Sequence, residues 1–260
     1  MHPDFSDSKN KSLLSASPVF ISISAGVFMI AVLATVYYTR SMSDEMVMPG
    51  GWRMSMMWMR MPGETWLSSA TGFLLMWLAM MIAMMMPSAL PVFLKTKQQW
   101  QLMCYTASGY FAVWLVAGSI IYFLGILINN AAMRSAFLST IMPLISGVAL
   151  VVAAVIQFTP WKMTRLMRCR TVTSCSIMPN TADGTGFTLG CKQGIACCTC
   201  CAALMSIQLI LGIMNPLVMA AVAIVITAEK LVTKPKIVAC LAGIAAFITG
   251  VIIILRWMIE

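Results

Sequence analysis

Histidine is almost missing from this 260-residue sequence, in which the single example is His2. Histidine is a common axial ligand of haem, a common zinc and iron ligand, and the side chain that most readily carries protons near neutral pH. Its scarcity argues against haem held by histidine, against histidine-rich iron or zinc centres, and against histidine acid–base catalysis.

Charged residues are the second shortage. Asp, Glu, Lys and Arg make up 10% of the chain, eight residues are acidic, and 60% of all residues are apolar. The mean hydropathy is +0.90. Because soluble domains carry about 25% charged residues, this composition indicates an integral membrane protein. The net charge of +9 is typical of cytoplasmic loops, and with no recognisable nucleic-acid-binding module we expect no nucleic-acid partner.

Long apolar segments predict an all-α fold, a polytopic transmembrane helix bundle with six or seven spans. We favour seven, although the stretch 195–231 is short for the two crossings that this number requires. We expect the second span to kink or end near Pro87, residues 129–137 to form a turn, and Met214-Asn215-Pro216 to separate the fifth and sixth spans. The predicted spans are residues 18–38, 66–94, 103–128, 138–158, two within 195–231, and 237–257.

The distribution of Lys and Arg predicts how the chain is oriented. With seven spans, the loops on the N-terminal side carry 12 of these residues and the loops on the other side carry 5. Positive charge marks the cytoplasmic side, so we expect a multi-pass protein of the bacterial inner membrane. Residues 1–17 would be a cytoplasmic tail and residues 18–260 a single transmembrane domain in contact with the lipid bilayer. The loop 40–65 would be extracytoplasmic and the segment 159–201 cytoplasmic.

Methionine, in contrast, is abundant, with 26 residues. The second span contains MWLAMMIAMMMPSALP, residues 76–91. Leucine would serve lipid contact equally well, so repeated thioethers indicate either flexible filling of gaps between helices or binding of a soft ion such as Cu(I). Helical spacing arranges these methionines in two neighbouring stripes: Met76, Met80 and Met84, and Met81 and Met85.

The loop 40–65 holds eight further methionines and several Pro and Gly residues that break any helix. A polar loop has little packing use for eight thioethers. The loop is therefore either a segment that captures metal or an interfacial segment that dips Met and Trp into the lipid headgroups. Its methionines are Met42, Met46, Met48, Met54, Met56, Met57, Met59 and Met61.

Seven of the nine cysteines lie in the segment 159–201. On a helix, Cys197, Cys201 and Met205 share one face. Clustered thiols suit either metal binding or thiol–disulfide exchange, and metal binding is favoured because it also accounts for the methionines. Four of the cysteines form two overlapping C-x-x-C pairs: Cys197, Cys198, Cys200 and Cys201.

Five segments, in this order, resemble a family of poorly characterised bacterial polytopic proteins described as predicted metal-binding integral membrane proteins. They are MWLAMMIAMMMPSALP, IQFTPWK with a following RCR, CCTCCAALM, IMN and AEK, and they cover most of residues 66–231. The resemblance implies a membrane protein that binds metal. Ala202 stands where relatives often carry tryptophan. Arg165 stands where they tend to carry cysteine, which removes the C-x-x-x-C pair that Cys169 would complete, so Cys169 is left out of the predicted site. The matching positions are Met76, Trp77, Met80, Met84, Met85, Pro87, Pro91, Gln157, Pro160, Lys162, Cys169, Cys198, Cys200, Cys201, Met205, Met214, Asn215, Glu229 and Lys230.

We interpret the chain as an inner-membrane protein that binds a soft metal ion, with copper as Cu(I) favoured, for transport or delivery. Its expected partner is a metallochaperone or a protein of a membrane complex. Two alternatives stay open: a non-catalytic subunit or assembly factor of a membrane oxidoreductase complex, and a membrane thiol–disulfide oxidoreductase. A non-enzymatic role is favoured, and no catalytic residue is predicted. The predicted metal-binding residues are Met80, Met84, Met85, Cys197, Cys198, Cys200, Cys201 and Met205.

The two sulfur-rich segments are expected to lie at the same membrane depth, since the second span ends on the side where the fifth begins. If these spans are neighbours, Met84 or Met85 should lie opposite Cys198 or Cys201. Isolated cysteines in apolar spans, Cys104 and Cys240, are expected only to pack.

The orientation can be tested by labelling single cysteines placed in the loop 40–65. We expect a membrane-impermeant maleimide to label them from the periplasmic side of intact cells, because the charge asymmetry places this loop outside. Labelling that requires membrane permeabilisation would overturn the orientation.

Overall fold

The computed structural model describes residues 18–41, 45–47, 53–55, 58, 65–95, 100–175, 183–213 and 215–259. Within these ranges, most of the chain is helical, which confirms the predicted all-α polytopic bundle. The helices are α1 (Pro18–Ser41), α2 (Trp66–Lys95), α3 (Trp100–Arg134), α4 (Ala136–Phe158), α5 (Pro160–Cys175), α6 (Asp183–Gly212), α7 (Pro216–Leu231) and α8 (Pro235–Ile259).

Six of the described helices, α1, α2, α3, α4, α6 and α8, are long and apolar enough to cross a membrane. The favoured number of seven also required α7, which has 16 residues. At 1.5 Å per residue α7 is about 24 Å long, shorter than the hydrocarbon core of about 30 Å. The described helices therefore support six full-length spans, and α7 is a shorter helix between α6 and α8.

Contacts between helices define their directions. Gly186 of α6 lies beside Leu102 of α3, and Gly194 lies beside Val113, so α3 and α6 run parallel. Helices α4 and α8 run antiparallel, because Phe158 packs against Gly243 and Thr140 accepts a hydrogen bond from Trp257. Helix α7 starts near the end of α6 and runs back along it, so that Lys230 near the end of α7 reaches Cys197 in the middle of α6. These relative directions are those of spans that alternate along the chain, with α7 as a short return between α6 and α8.

Three local predictions change. Helix α2 continues past Pro87 to Lys95, so of the two outcomes expected near Pro87, a kink or an end, the end is excluded. Membrane helices tolerate proline when neighbouring groups satisfy the freed backbone. The turn expected at residues 129–137 is also mostly helical, because α3 extends to Arg134 and Ser135 caps α4 by accepting from the Leu138 N–H at 3.4 Å. Residues 159–193, which lie between the predicted fourth and fifth spans, largely form α5 and the start of α6.

The break after α6 agrees with the prediction. Gly212 adopts a positive φ of 117°, a left-handed conformation that favours glycine at a helix end. Asn215 then caps α7, with its side chain accepting hydrogen bonds from the backbone of Leu217 and Val218.

The described part of the methionine-rich loop is a short antiparallel hairpin. Its strands are β1 (Glu45–Val47) and β2 (Arg53–Ser55), in which Met46 and Met54 are directly paired. The other predicted capture methionines lie outside the described residues: Met42, Met48, Met56, Met57, Met59 and Met61.

Helices α3 and α6 approach closely along a stripe of glycines spaced four residues apart, Gly186, Gly190 and Gly194. A Cβ added at Gly190 would collide with the carbonyl oxygen of Thr106, and one at Gly109 of α3 would collide with that of Phe187. Small residues at four-residue spacing allow membrane helices to pack backbone against backbone.

Helix α2 packs on α3 through large aromatic side chains. The buried Trp77 donates its indole N–H to the backbone oxygen of Trp114 at 2.9 Å, and its ring fills the space beside Gly118. Phe73 packs on Tyr122 with ring centroids 5.0 Å apart. These contacts fix the face that α2 turns towards the interior.

Replacing Gly190 by alanine should destabilise the protein by about 1–3 kcal/mol, because the added methyl group forces α3 and α6 apart. The matched control is Gly26→Ala in α1, where a Cβ would meet no atom within 4 Å. Thermal unfolding in detergent measures both. Equal unfolding temperatures for the two variants would contradict the close packing of α3 on α6.

Candidate metal centre

The sulfur atoms predicted to bind metal come from α2 and α6, and the structure buries nearly all of them. Cys198 is the exception, being half-buried. The methionine stripes of α2 and the thiol face of α6 both turn into the bundle, where they meet side chains from α3, α5 and α7. The fully buried members are Met80, Met84, Met85, Cys197, Cys200, Cys201 and Met205.

Cys197 is the meeting point of these elements. Its Sγ lies 3.8 Å from the thioether sulfur of Met85 and accepts hydrogen bonds from the hydroxyl of Tyr110 and from Nζ of Lys230, each at 3.0 Å. Lys230 also lies 3.2 Å from the hydroxyl of Ser88 and 3.7 Å from the Met85 sulfur. Thiolates rather than thiols bind metals, and a neighbouring lysine favours the thiolate.

The structure therefore brings the two sulfur-rich segments together, as expected if they lie at the same membrane depth. The residues in contact differ from the predicted pair. We expected Cys198 or Cys201 opposite Met84 or Met85, whereas the direct contact is between Met85 and Cys197. Cys197 lies on the helical face that continues the glycine stripe, so the close packing of α6 carries it inward.

Cys169 of α5 joins this group although we had left it out of the predicted site. It is buried, and a hydrogen bond with Cys197 raises the pKa of its thiol to about 11, with Cys200 also in hydrogen-bonding range. Cys200 and Cys201 lie with their sulfurs 3.5 Å apart. We call these four cysteines and Met85 the sulfur cluster.

Cys169 was missed because we looked for a partner at i−4 within α5, where Arg165 stands. Its actual partners are on another helix. A useful signal was present: Lys162, Leu166 and Cys169 recur at helical spacing, and all three are buried, while Trp161 and Arg168 on the same helix are exposed. This pattern marks an amphipathic helix whose buried face includes the thiol.

A second contact between α2 and α6 lies away from the sulfur cluster. The side-chain amide of Gln208 is fully buried and donates from Nε2 to the sulfur of Met80 at 3.2 Å. Its oxygen, Oε1, has no hydrogen-bond partner among the described residues.

Helices α5 and α7 are joined by an ion pair inside the bundle. Nζ of Lys162 lies 2.9 Å from Oε2 of Glu229, and the two side chains are 1% and 2% exposed. Because Lys230 is the next residue, the end of α7 contacts both α5 and Cys197.

The described residues contain no group of three or more His, Cys, Asp or Glu side chains arranged to hold a metal ion. A metal site here would therefore combine thiols with thioethers, which are outside that set. Such mixed sulfur ligands are the type that selects Cu(I), whereas structural zinc sites need four ligands in a tetrahedron.

The sequence from residue 74 to residue 253 matches the family PpoB2, described as copper chaperone. The chain belongs to this copper chaperone family. The matched region includes α3 to α7 and every residue of the sulfur cluster. The family confirms the resemblance to metal-binding proteins and supports a copper-related function. Neither the curated proteins nor the solved structures contain a match to this chain.

Replacing Lys162 by methionine should destabilise this copper chaperone family member by about 3–5 kcal/mol, because Glu229 would be left buried without its partner. Replacing both residues, Lys162→Met with Glu229→Leu, should restore most of the loss. Thermal unfolding in detergent measures both variants, and Lys192→Met, at an exposed site of α6, is the control. A double variant as unstable as the single one would show that the pair is not coupled.

Proposed function

We propose that this protein binds Cu(I) as cargo in the sulfur cluster and delivers it across or out of the bacterial inner membrane. Copper-related function follows from family membership; the oxidation state, the ligands and the membrane are the proposal. The observation that carries it is the contact between Met85 and Cys197, in which the sulfurs lie 3.8 Å apart.

The ligand set favours Cu(I) among biological metals. Cu(I) prefers thiolate and thioether sulfur, and the cluster offers four thiols and one thioether. Cys197 and Met85 come from different helices, so an ion bound between them would bridge α6 and α2. Cys200 and Cys201, whose sulfurs lie 3.5 Å apart, and Cys169, which interacts with Cys197, provide further thiols to which the ion could pass.

The position of Lys230 also suits a cargo site. Its ammonium lies 3.0 Å from the Cys197 sulfur and 3.7 Å from that of Met85, close to where a cation bridging the two sulfurs would sit. A bound monovalent ion would therefore replace the ammonium as the neighbour of Cys197. The charge beside the sulfur then changes little as cargo enters or leaves.

The proposal places capture of the copper ion on the outer side of the membrane and its transfer to a partner on the cytoplasmic side. Methionines of the loop 40–65 capture the ion outside, and Met80, Met84 and Met85 pass it towards the sulfur cluster. A metallochaperone or a membrane-complex protein is the expected partner on the cytoplasmic side. The outward-facing side chains of α5, including Arg165 and Arg168, provide a basic surface there.

The two overlapping C-x-x-C pairs of α6, Cys197 with Cys200 and Cys198 with Cys201, keep thiol–disulfide exchange as a second candidate function. The two functions differ in what the purified protein contains. A redox-active pair loses two hydrogen atoms, two protons and two electrons, on oxidation, so its mass differs by about 2 Da between oxidised and reduced samples, with no bound metal. A copper carrier retains copper, and its thiols stay reduced under anaerobic conditions.

Replacing Cys197 and Cys201 by serine should remove most of the copper that co-purifies with the protein, because both thiols of the central helix face are lost. The matched control replaces Cys104 and Cys240, both exposed, and should retain all of it. Elemental analysis after anaerobic purification from copper-fed cells measures the metal content. Equal copper in the two double variants would refute the sulfur cluster as the cargo site.

A further inference from the structure

We infer that Met80 and its neighbouring buried thioethers form a second Cu(I)-binding position, separate from the sulfur cluster, in which Gln208 is the positioning residue. The inference rests on the proposed function, since it gives the same cargo an intermediate site. The ion at this position is held by thioethers alone and is stabilised by the dipole of the Gln208 amide.

Gln208 is the first observation. Its side chain is 1% exposed, its Nε2 donates to Met80 at 3.2 Å, and its Oε1 has no partner among the described residues. A buried carbonyl oxygen without a hydrogen bond costs stability, and polar residues inside membrane helices commonly mark ion or substrate pathways. Leucine at this position would avoid this loss of stability, so the presence of an amide indicates a role other than packing.

The thioethers around Met80 are the second observation. Met76, Met80 and Met84 follow one another at four-residue spacing on α2 and are 3%, 2% and 1% exposed. Met205 of α6 lies three residues before Gln208, on the same helical face, and is also buried. Thioethers are neutral soft ligands, so they accept Cu(I) without holding it by charge.

The Gln208 amide can interact with this position both when it is empty and when it holds an ion. With no ion, the Nε2 N–H group occupies a lone pair of the Met80 sulfur. The positive end of this N–H dipole repels an arriving cation, so the hydrogen bond breaks as the ion binds the sulfur. Rotation of the terminal amide then turns Oε1 towards the positive charge and satisfies the oxygen that otherwise has no partner.

The location fits a step on the way to the sulfur cluster. Met80 precedes Met85 by five residues, which is about 8 Å along α2, and Met84 lies between them. Gln208 follows Cys197 by eleven residues, about 16 Å along α6. The position therefore lies on the side of the cluster nearest to Thr65, where the methionine-rich loop joins α2. The ligands at Met80 are neutral thioethers, whereas the sulfur cluster offers thiols. This difference favours movement of the ion from Met80 towards Cys197.

The test uses full-length protein in detergent, titrated anaerobically with Cu(I) against a chromophoric chelator. The background variant lacks the thiols of the region and leaves every methionine in place. In this background, protein carrying Met80→Leu should bind one copper ion fewer than protein carrying Met86→Leu. Met86 is the control, because it is half-buried on the same helix. The background substitutions are Cys169, Cys197, Cys198, Cys200 and Cys201, each to serine.

The role of Gln208 is tested by affinity in the same background. Gln208→Leu should weaken the Met80-dependent ion about tenfold or more, because a charge–dipole interaction is lost. Gln157→Leu is the control and should change nothing, since Gln157 is a buried amide on α4, with no hydrogen-bond partner among the described residues, and no sulfur contact is assigned to it. If the thiol-free background fails to fold, the comparison of Met80→Leu with Met86→Leu is made in the otherwise native chain.

The outcomes separate this inference from the proposed function. Equal stoichiometry in Met80→Leu and Met86→Leu overturns the second position, while copper dependent on Cys197 would leave the proposed function standing. A native protein that binds no Cu(I) overturns both. An unchanged affinity in Gln208→Leu overturns the positioning role of the amide.

Discussion

The close packing of α6 on α3 is the constraint on which the rest of the site depends. Three glycines at four-residue spacing let the two backbones touch, and a Cβ at Gly190 would collide with the backbone of Thr106. The same face of α6 continues as Cys197, Cys201 and Met205. Because the glycines press this face inward, Cys197 comes within 3.0 Å of the hydroxyl of Tyr110 on α3. The thiols are thus buried by the helix packing that precedes them.

Helix α2 supplies the second half of the same arrangement. Its aromatic contacts, Trp77 on α3 and Phe73 on Tyr122, set the rotation of the helix. Met80 and Met85 are then turned towards α6, where one meets Gln208 and the other meets Cys197. Methionine fills gaps and binds soft ions with the same side chain. The packing role and the proposed ligand role therefore do not exclude each other.

The helical fold, the helices long and apolar enough to cross a membrane, and the two sulfur-rich helices were predictable from local pattern. Apolar length predicts spans, and the repeat of methionine and cysteine at helical spacing predicts faces. The glycine stripe at 186–194 was also readable, since this spacing is typical of close membrane helix pairs, but we gave it no role. A helix end at Pro87 was one of two expected outcomes, and it does not occur because groups inside a bundle can satisfy the backbone that proline frees.

The partners of Cys197 could not be predicted in the same way. Tyr110 is 87 residues away along the chain, Lys230 is 33 and Met85 is 112. Local pattern carries no information on which of several helices will be neighbours. The same applies to Cys169, whose partners lie on α6, and to the pairing of Lys162 with Glu229. These contacts depend on how the whole bundle packs.

Two adjacent ionisable residues inside the bundle, Glu229 and Lys230, lie at the end of α7. Glu229 pairs with Lys162 of α5, and Lys230 contacts Cys197 and Ser88. A short helix suits this purpose, because it brings two adjacent ionisable residues to the middle of α6. Because α7 is short, it does not form the seventh full-length span that we favoured. Its end instead lies inside the bundle, where Lys230 contacts the thiol of Cys197.

The central claim is that sulfur alone holds the copper. X-ray absorption at the copper edge, on protein loaded with one equivalent of Cu(I) under anaerobic conditions, tests it most directly. We predict a spectrum of Cu(I) with only sulfur in its first coordination shell. A first shell containing nitrogen or oxygen ligands, or a Cu(II) spectrum, would contradict the account.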